Sequence, residues 1–306
     1  MTIQLEDTGE RMIPEHHKGK NIYGAHIARY QAGLPLAKNK VVLDVACGSG
    51  YGAKLISKIA RKVIGVDIDG KTIEYAKKNY HAANISYKVG SATEIPLGDN
   101  SVDTVISYET IEHIDDYNKF LTEVKRVLKP EGQLLISTPN EDEYTHKNEF
   151  HIHEFRYKQI KGVINKYFKY HKDYFQTHWV YSSILPSELQ ASEWTKKIQT
   201  VNTAPTPPEQ CIFFYILCSD KPLNNDIEPI GVISEHYRLR DLQEANREVQ
   251  KTLNEMRMKL NTASTQSQHL RVELSAIKRS KSWKVAIAIS KTVAIIKRPL
   301  YLLRRK

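Results

Sequence analysis

Asp44 lies near the end of an apolar run and is followed by Gly48, Gly50 and Gly52, a spacing that describes a nucleotide-binding turn. Glycines there permit backbone angles and a close ligand approach that a Cβ obstructs. A second acid, Asp67, follows about twenty residues later, where a carboxylate can accept hydrogen bonds from both hydroxyls of a ribose. Further on, Glu109, Glu112 and His113 form ExxEH, and in a helical turn positions i, i+3 and i+4 share one face. Phe150-His151-Ile152-His153-Glu154 adds two imidazoles. Carboxylates and imidazoles without thiolates suit Mg²⁺ or Mn²⁺. The same residues support metal-free chemistry, with His113 or His151 as a general base that Glu109 and Glu112 position. They also fit a third arrangement, in which Glu112 and His113 are polar residues of a helix start and His151 belongs to a loop.

The surrounding pattern supplies elements to hold these residues. Val41 to Val45 reads as a buried parallel strand and Tyr51 to Ala60 as the helix after the glycine turn. Lys62 to Val66 is a second strand ending at Asp67, and Ile85 to Val89 a third, followed by Gly90-Ser91-Ala92. Ser101 to Tyr108 is a fourth strand that ends directly before ExxEH, and Leu128-Lys129-Pro130-Glu131-Gly132 precedes a fifth over Gln133 to Ser137. Glu154 to Tyr167 is expected to be helical, Phe168 to Thr177 an irregular strand, and Cys211 to Cys218 a fully apolar strand. Ala204 to Glu209, APTPPE, excludes regular structure and is expected to form a loop near a substrate mouth.

The segment VVLDVACGSGYG together with GVDID resembles the class I S-adenosylmethionine-dependent methyltransferases, whose first motif has the form (V/L)LD(V/I)xCGxGxG. The resemblance covers roughly residues 36 to 140 through five ordered landmarks. It implies an α/β fold, a Rossmann-like seven-stranded sheet with helices on both faces, with Cys211 to Cys218 as its closing antiparallel strand. It also implies S-adenosyl-L-methionine as cofactor. Asp44 and the backbone of Ala46, Cys47, Gly48 and Gly50 would hold its methionine end, Asp67 and Ile68 its ribose and adenine, and Ser91 and Ala92 the adenine edge. Tyr108 would complete the cofactor site. Methyl transfer from a sulfonium then needs in-line positioning of the nucleophile and removal of its proton.

ExxEH is similar to the motif at this position in ubiquinone-biosynthesis O-methyltransferases. It is also similar to small-RNA 3'-terminal 2'-O-methyltransferases, which add an HxFE segment. Here His151 matches that family's histidine and His153 stands in place of its Phe. The likeness implies a divalent ion on Glu109, Glu112, His113 and His151 that chelates two vicinal hydroxyls of the acceptor. Thr8 to Glu15, TGERMIPE, followed by Tyr23 to Tyr30, resembles the opening of bacterial methyltransferases found with surface-polysaccharide synthesis, and its expected place is a lid over the cofactor or packing of an N-terminal helix on the sheet.

Charge divides the rest. Residues 1 to 220 carry 27 basic and 27 acidic side chains and residues 221 to 273 carry 8 of each, so the whole net charge of +10 lies in 274 to 306. This asymmetry points to an anionic partner for the tail rather than for the catalytic part. Three cysteines and a polar start at Met1 to Glu15 lead to the expectation of a reduced, cytoplasmic protein. Leu239, Asn246, Leu253, Leu260, Ser267 and Leu274 recur every seven residues, with Leu242, Val249, Met256, Ala263, Leu270 and Ile277 three places later. These heptads predict a coiled coil that forms a parallel homodimer or homotrimer. Beyond it, Trp283, Val285, Ile287, Ile289, Val293, Ile295 and Ile296 are interleaved with Lys284, Lys291 and Arg298, too few apolar residues in a row to span a bilayer. Such a helix is expected to lie on anionic lipid, with Arg304, Arg305 and Lys306 reinforcing it.

The expected organisation is therefore an N-terminal lid or substrate segment at 1–35, a methyltransferase domain at 36–220, a linker at 221–234, a coiled coil at 235–279 and a basic amphipathic membrane-surface helix at 280–306. The expected activity is O-methylation of a sugar hydroxyl in lipid-linked surface polysaccharide at the inner face of the cytoplasmic membrane. RNA 2'-O-methylation is the first alternative, opposed by the charge balance of residues 1 to 220. The second is a cofactor-binding scaffold that recruits polysaccharide enzymes, opposed by the intact Asp44, Gly48, Gly50 and Asp67.

Overall fold

A computed structural model describes residue 5 and residues 11–18, 20–143, 148–178, 207–232 and 239–291. The chain divides into two units, Met1–Glu235 and His236–Lys306.

The first unit is built on seven strands: β1 (Val41–Val45), β2 (Lys62–Asp67), β3 (Ile85–Val89), β4 (Val102–Tyr108), β5 (Leu128–Pro139), β6 (Tyr170–Gln176) and β7 (Phe213–Ser219). They lie in the order β3-β2-β1-β4-β5-β7-β6. The first five are mutually parallel, and β7 runs antiparallel between β5 and β6. The apolar run at 211–218 is thus the antiparallel strand that the resemblance implies, set one place in from the sheet edge.

Period-two alternation sends side chains to two opposite cores. Leu43, Val45, Ile64, Val66, Val105 and Leu134 pack with α5 (Tyr117–Val127) and α6 (Tyr157–Tyr167) through Phe120, Leu121, Val124, Ile160 and Ile164. Val42, Val63, Ile106, Tyr108 and Leu135 pack with α2 (Asn21–Ala37), α3 (Tyr51–Ser57) and α4 (Gly70–Asn79) through Tyr30, Leu36, Ala53, Ile56 and Ile73. A short α1 (Pro14–His17) precedes them.

Several boundaries differ from the sequence reading: α3 ends at Ser57 rather than Ala60, and β7 runs Phe213–Ser219 rather than from Cys211 to Cys218. Strand β5 starts at Leu128 and continues to Pro139, because Leu128 already pairs with Val102 before a register shift, and Thr138 and Pro139 pair with Phe214 and Phe213. Helix α6 starts at Tyr157 rather than Glu154, because Asn140 bridges Phe155 and the Gln159 side chain accepts the Arg156 amide to cap the helix. The segment after β7 is packed rather than open: Leu223 and Ile227 lie on the α2–α4 core, and the Asn225 carbonyl accepts from Lys172. Of APTPPE, residues 204–206 lie outside the described residues, and Pro208–Gln210 is one 3-10 turn.

In the second unit, α7 (Leu239–Arg279) is one helix of 41 residues. A further helical stretch covers 281–291. Residues 292–306, which hold Val293, Ile295, Ile296, Arg298 and the terminal basic residues, lie outside the described part. No helix among the described residues is long and apolar enough to cross a membrane.

Candidate active site

The carboxyl ends of the parallel strands, at the point where strand order reverses between β1 and β4, bring the sequence-predicted residues to one edge of the sheet. Asp44 belongs to β1, Asp67 ends β2, and ExxEH begins directly after β4.

Between β1 and α3 the turn takes left-handed backbone at Ala46, Gly48 and Gly50, with φ of 57°, 54° and 90°. A Cβ on Gly50 would stand 2.7 Å from Ala76 Cβ. The Gly48 amide donates to Asp67 Oδ2 at 2.9 Å and the Asp69 amide to Asp67 Oδ1 at 3.0 Å. Asp67 therefore braces the turn, and each oxygen keeps a second lone pair for a hydroxyl donor. Ile68 (74% exposed) follows β2, and Val89 (55% exposed) ends the neighbouring β3. Exposed apolar side chains at adjacent strand ends suit a flat base. Ser91 Oγ instead stays within its own turn, accepting the Thr93 amide at 3.1 Å, and Ala92 packs on the core. Cys47 is buried, and burial holds its thiol well above the usual range.

Asp44 is buried and accepts the Tyr30 hydroxyl at 3.2 Å; burial raises its pKa to about 7 against that hydrogen bond. Tyr108 takes a different part from the one expected. Its place in β4 turns it to the α2 side, where its hydroxyl meets Tyr215 Oη at 2.7 Å and donates to the Arg29 carbonyl at 3.2 Å. Its ring meets Tyr30 edge-on at 5.0 Å. Tyr108 thus supports the residue that holds Asp44.

Above the glycine turn lies the start of the chain. The Met12 carbonyl accepts Ser49 Oγ at 3.1 Å, and Arg11 passes over Gly48 to reach Asp69 at 3.7 Å. Residues 6–10, including Thr8 to Glu10, lie outside the described residues, and the lid expectation falls partly on them.

ExxEH does not form an α-helical turn. Glu109 has φ 50°, and only Ile111–His113 form a 3-10 turn, so Glu109 and Glu112 do not share the face that an α-helix would give them. Glu109 Oε1 accepts Ser137 Oγ at 2.9 Å, and Oε2 lies 3.6 Å from Arg29 Nη2. The group suited to a metal is therefore smaller than expected. Ligand atoms of Glu112, His113 and His151 all lie within 4.8 Å of one another, without Glu109.

Glu112 is buried; Oε2 accepts Thr138 Oγ1 at 3.0 Å, while Oε1 has no hydrogen-bond partner. Burial and the neighbouring Glu109 charge push its pKa well above the carboxylate range. His113 Nδ1 lies 3.0 Å from the Phe150 carbonyl and donates to it. The His113 and His151 rings meet edge-on at 4.9 Å. The second motif is seated by main chain: the Glu112 carbonyl accepts the amides of Ile152 and His153 at 2.9 and 3.0 Å. His153 leaves the trio, reaching the Asp115 carbonyl with Nε2 and packing edge-on against Tyr117. A recess beside the trio is lined by Thr138, Pro139, Glu141, His151, His153 and Glu154.

A buried carboxylate with an orphaned oxygen beside two imidazoles fits a divalent cation, which would satisfy that oxygen. Arg29 offers the complementary signal and was missed in the sequence. It is 2% exposed, its Nε donates to Gln176 Oε1 at 2.7 Å, its guanidinium lies 4.2 Å from the Phe213 ring centre, and Nη1 has no partner. An orphaned donor on a buried cation fits the carboxylate end of the cofactor. Arginine is mostly exposed in proteins, and nothing in the pattern of α2 marks this one as buried.

The sheet order and the glycine turn braced by a β2 acid are consistent with the methyltransferase α/β fold. Residues 43–136 match the family model described as a methyltransferase domain. Over 162 residues the chain is 37% identical to a Mycolicibacterium smegmatis protein named "probable S-adenosylmethionine-dependent methyltransferase", covering 51% of this chain and 62% of that one. Over 107 residues it is 34% identical to the ubiquinone biosynthesis O-methyltransferase of Pelagibacter ubique, covering 34% of this chain and 43% of the relative. The chain thus spans about three-fifths of the length of the first curated relatives it matches. A chain of the solved Haloferax volcanii complex that contains the Trm112 methyltransferase activator shares the fold, at 16% identity and TM-score 0.51, covering 70% of this chain and 94% of that one.

Proposed function

We propose that this protein is an O-methyltransferase that methylates a sugar hydroxyl of a lipid-linked bacterial surface polysaccharide at the cytoplasmic face of the membrane. The observation that carries O-methylation is the convergence of Glu112, His113 and His151, with the orphaned Glu112 Oε1, at the strand edge that carries the cofactor turn. The 34% identity to an enzyme named for ubiquinone-biosynthesis O-methylation supports an oxygen acceptor. TGERMIPE at residues 8–15, the charge-neutral first 220 residues and the basic tail support a membrane-bound glycan over RNA.

S-adenosylmethionine supplies the electrophilic methyl group when bound. Asp44 and the backbone of the glycine turn would hold its methionine end, with the Asp44 carboxylate toward the cationic group; Arg29 Nη1 would meet its carboxylate and Asp67 its ribose hydroxyls. A divalent cation held by Glu112, His113 and His151 supplies Lewis acidity toward the acceptor hydroxyl when bound. Two imidazoles with one carboxylate favour Mn²⁺ over Mg²⁺, which prefers oxygen donors alone. Glu109, clamped between Ser137 and Arg29, positions the 3-10 turn that presents His113.

Incubation with labelled cofactor and either purified lipid-linked glycan or short RNA tests this. Label in the glycan supports the proposal. Label in RNA alone overturns it, and cofactor binding without transfer to either assigns a scaffold role.

A further inference from the structure

We propose that α7 pairs with α7 of a second copy of this chain, parallel and in register, as a two-stranded coiled coil. The helix is continuous over 41 residues. Along it the side chains of Val249, Leu253, Met256, Leu260, Leu270, Leu274 and Ile277, all at a or d positions, are 49% to 70% exposed in the single chain. A helix with this stripe needs a facing surface to remove it from water, and the 3.5-residue spacing matches another helix of the same period.

Charge identifies the facing helix. In the heptad set by Leu253 and Leu260, the g positions include Lys259 and Glu273 and the e positions include Arg257, Arg271 and Lys278. Parallel pairing places each g residue near the e residue five places on in the other copy. Glu273 then meets Lys278 of the second copy, twice by symmetry, and Lys259 meets uncharged Ser264, so no like charges face each other. Register is set by Asn246 and Ser267 at a positions. Only the in-register parallel pair puts each opposite its own equivalent, where two amides or two hydroxyls can bond to each other rather than face an apolar side chain. A further consequence is directional: parallel pairing starts both 281–306 segments from the same end of the coiled coil, where two weak surface contacts would act with avidity.

Sedimentation equilibrium of the full chain at micromolar concentration is expected to give twice the 35.2 kDa chain mass. A monomer overturns the pairing, and a trimer overturns the two-stranded form. Charge reversal by Glu273→Lys, at an exposed helical position, should raise the dissociation constant about five- to ten-fold, and adding Lys278→Glu should restore it. Failure of the double variant to recover removes the parallel register. The three native cysteines are buried, so engineered ones report cleanly. Val249→Cys and Ile277→Cys proteins, mixed and oxidised, should each link to their own kind; a Val249–Ile277 cross-link indicates antiparallel pairing and overturns the proposal.

Discussion

The Tyr30 hydroxyl donates to both oxygens of the buried Asp44 carboxylate, at 3.2 and 3.3 Å. This contact anchors helix α2 to the strand that begins the cofactor turn, yet it does not offset burial, and Asp44 titrates near neutrality, at about 7. Raised above its unfolded value of 3.8, Asp44 binds a proton in the native state that the unfolded chain has released. The stability it contributes is therefore full below about pH 4 and is lost as pH rises through 7. Asp44→Asn should remove this slope and leave the cofactor-free protein up to about 4 kcal/mol more stable than wild type at pH 8. Cofactor binding should release one proton and tighten up to pH 7, as calorimetry in buffers of different ionisation enthalpy will read. A flat affinity profile would remove Asp44 from contact with the cationic end.

Arg29 is buried with one orphaned nitrogen and one ionic partner. Arg29→Met should raise KM for S-adenosylmethionine about 10- to 100-fold, the value of a hydrogen bond to a charged group. It also strands Glu109, at a cost of about 3–5 kcal/mol. The double variant Arg29→Met, Glu109→Gln should regain stability but not cofactor affinity. Recovery of both would make the guanidinium a purely structural group.

The trio excludes Glu109, so the two glutamates should behave differently. Glu112→Gln or His151→Ala should lower turnover about 100-fold and abolish Mn²⁺ binding, whereas Glu109→Gln should leave binding of Mn²⁺ intact. Turnover that survives exhaustive chelation would return the chemistry to a histidine base.

Gly50 combines φ 90° with a clash, since an added Cβ would stand 2.7 Å from Ala76 Cβ. Gly50→Ala should cost about 2–4 kcal/mol in thermal or denaturant unfolding, while Gly98→Ala, with nothing within 4 Å, should be near neutral.

Deleting residues 280–306 should abolish co-flotation with phosphatidylglycerol vesicles while leaving transfer to a soluble acceptor unchanged. Equal flotation with phosphatidylcholine would remove the electrostatic part of the attraction.

Strand identities at the cofactor edge were legible because buried parallel strands read as apolar runs, and the turn was legible because left-handed backbone selects glycine. Ala46 adopts the same hand at φ 57° without any signal in its type. The geometry of ExxEH was not legible: i, i+3, i+4 spacing assumes 3.6 residues per turn, and the backbone reversal at Glu109 after β4 breaks that assumption. Arg29 and Gln176, which meet across 147 positions, carry no local pattern at all. Tyr108 was placed on the correct strand, but its hydroxyl answers to Tyr215 and Arg29, contacts that only the folded sheet brings together.

The Glu112 carbonyl, which receives the Ile152 and His153 amides, gives the two histidine-bearing motifs a main-chain joint, beside the bonds of the His113 and His153 rings to the Phe150 and Asp115 carbonyls. A joint of this kind is indifferent to side-chain identity. Replacing His153 by Phe therefore forfeits the bond to the Asp115 carbonyl but leaves the amide hydrogen bonds that dock His151 beside His113.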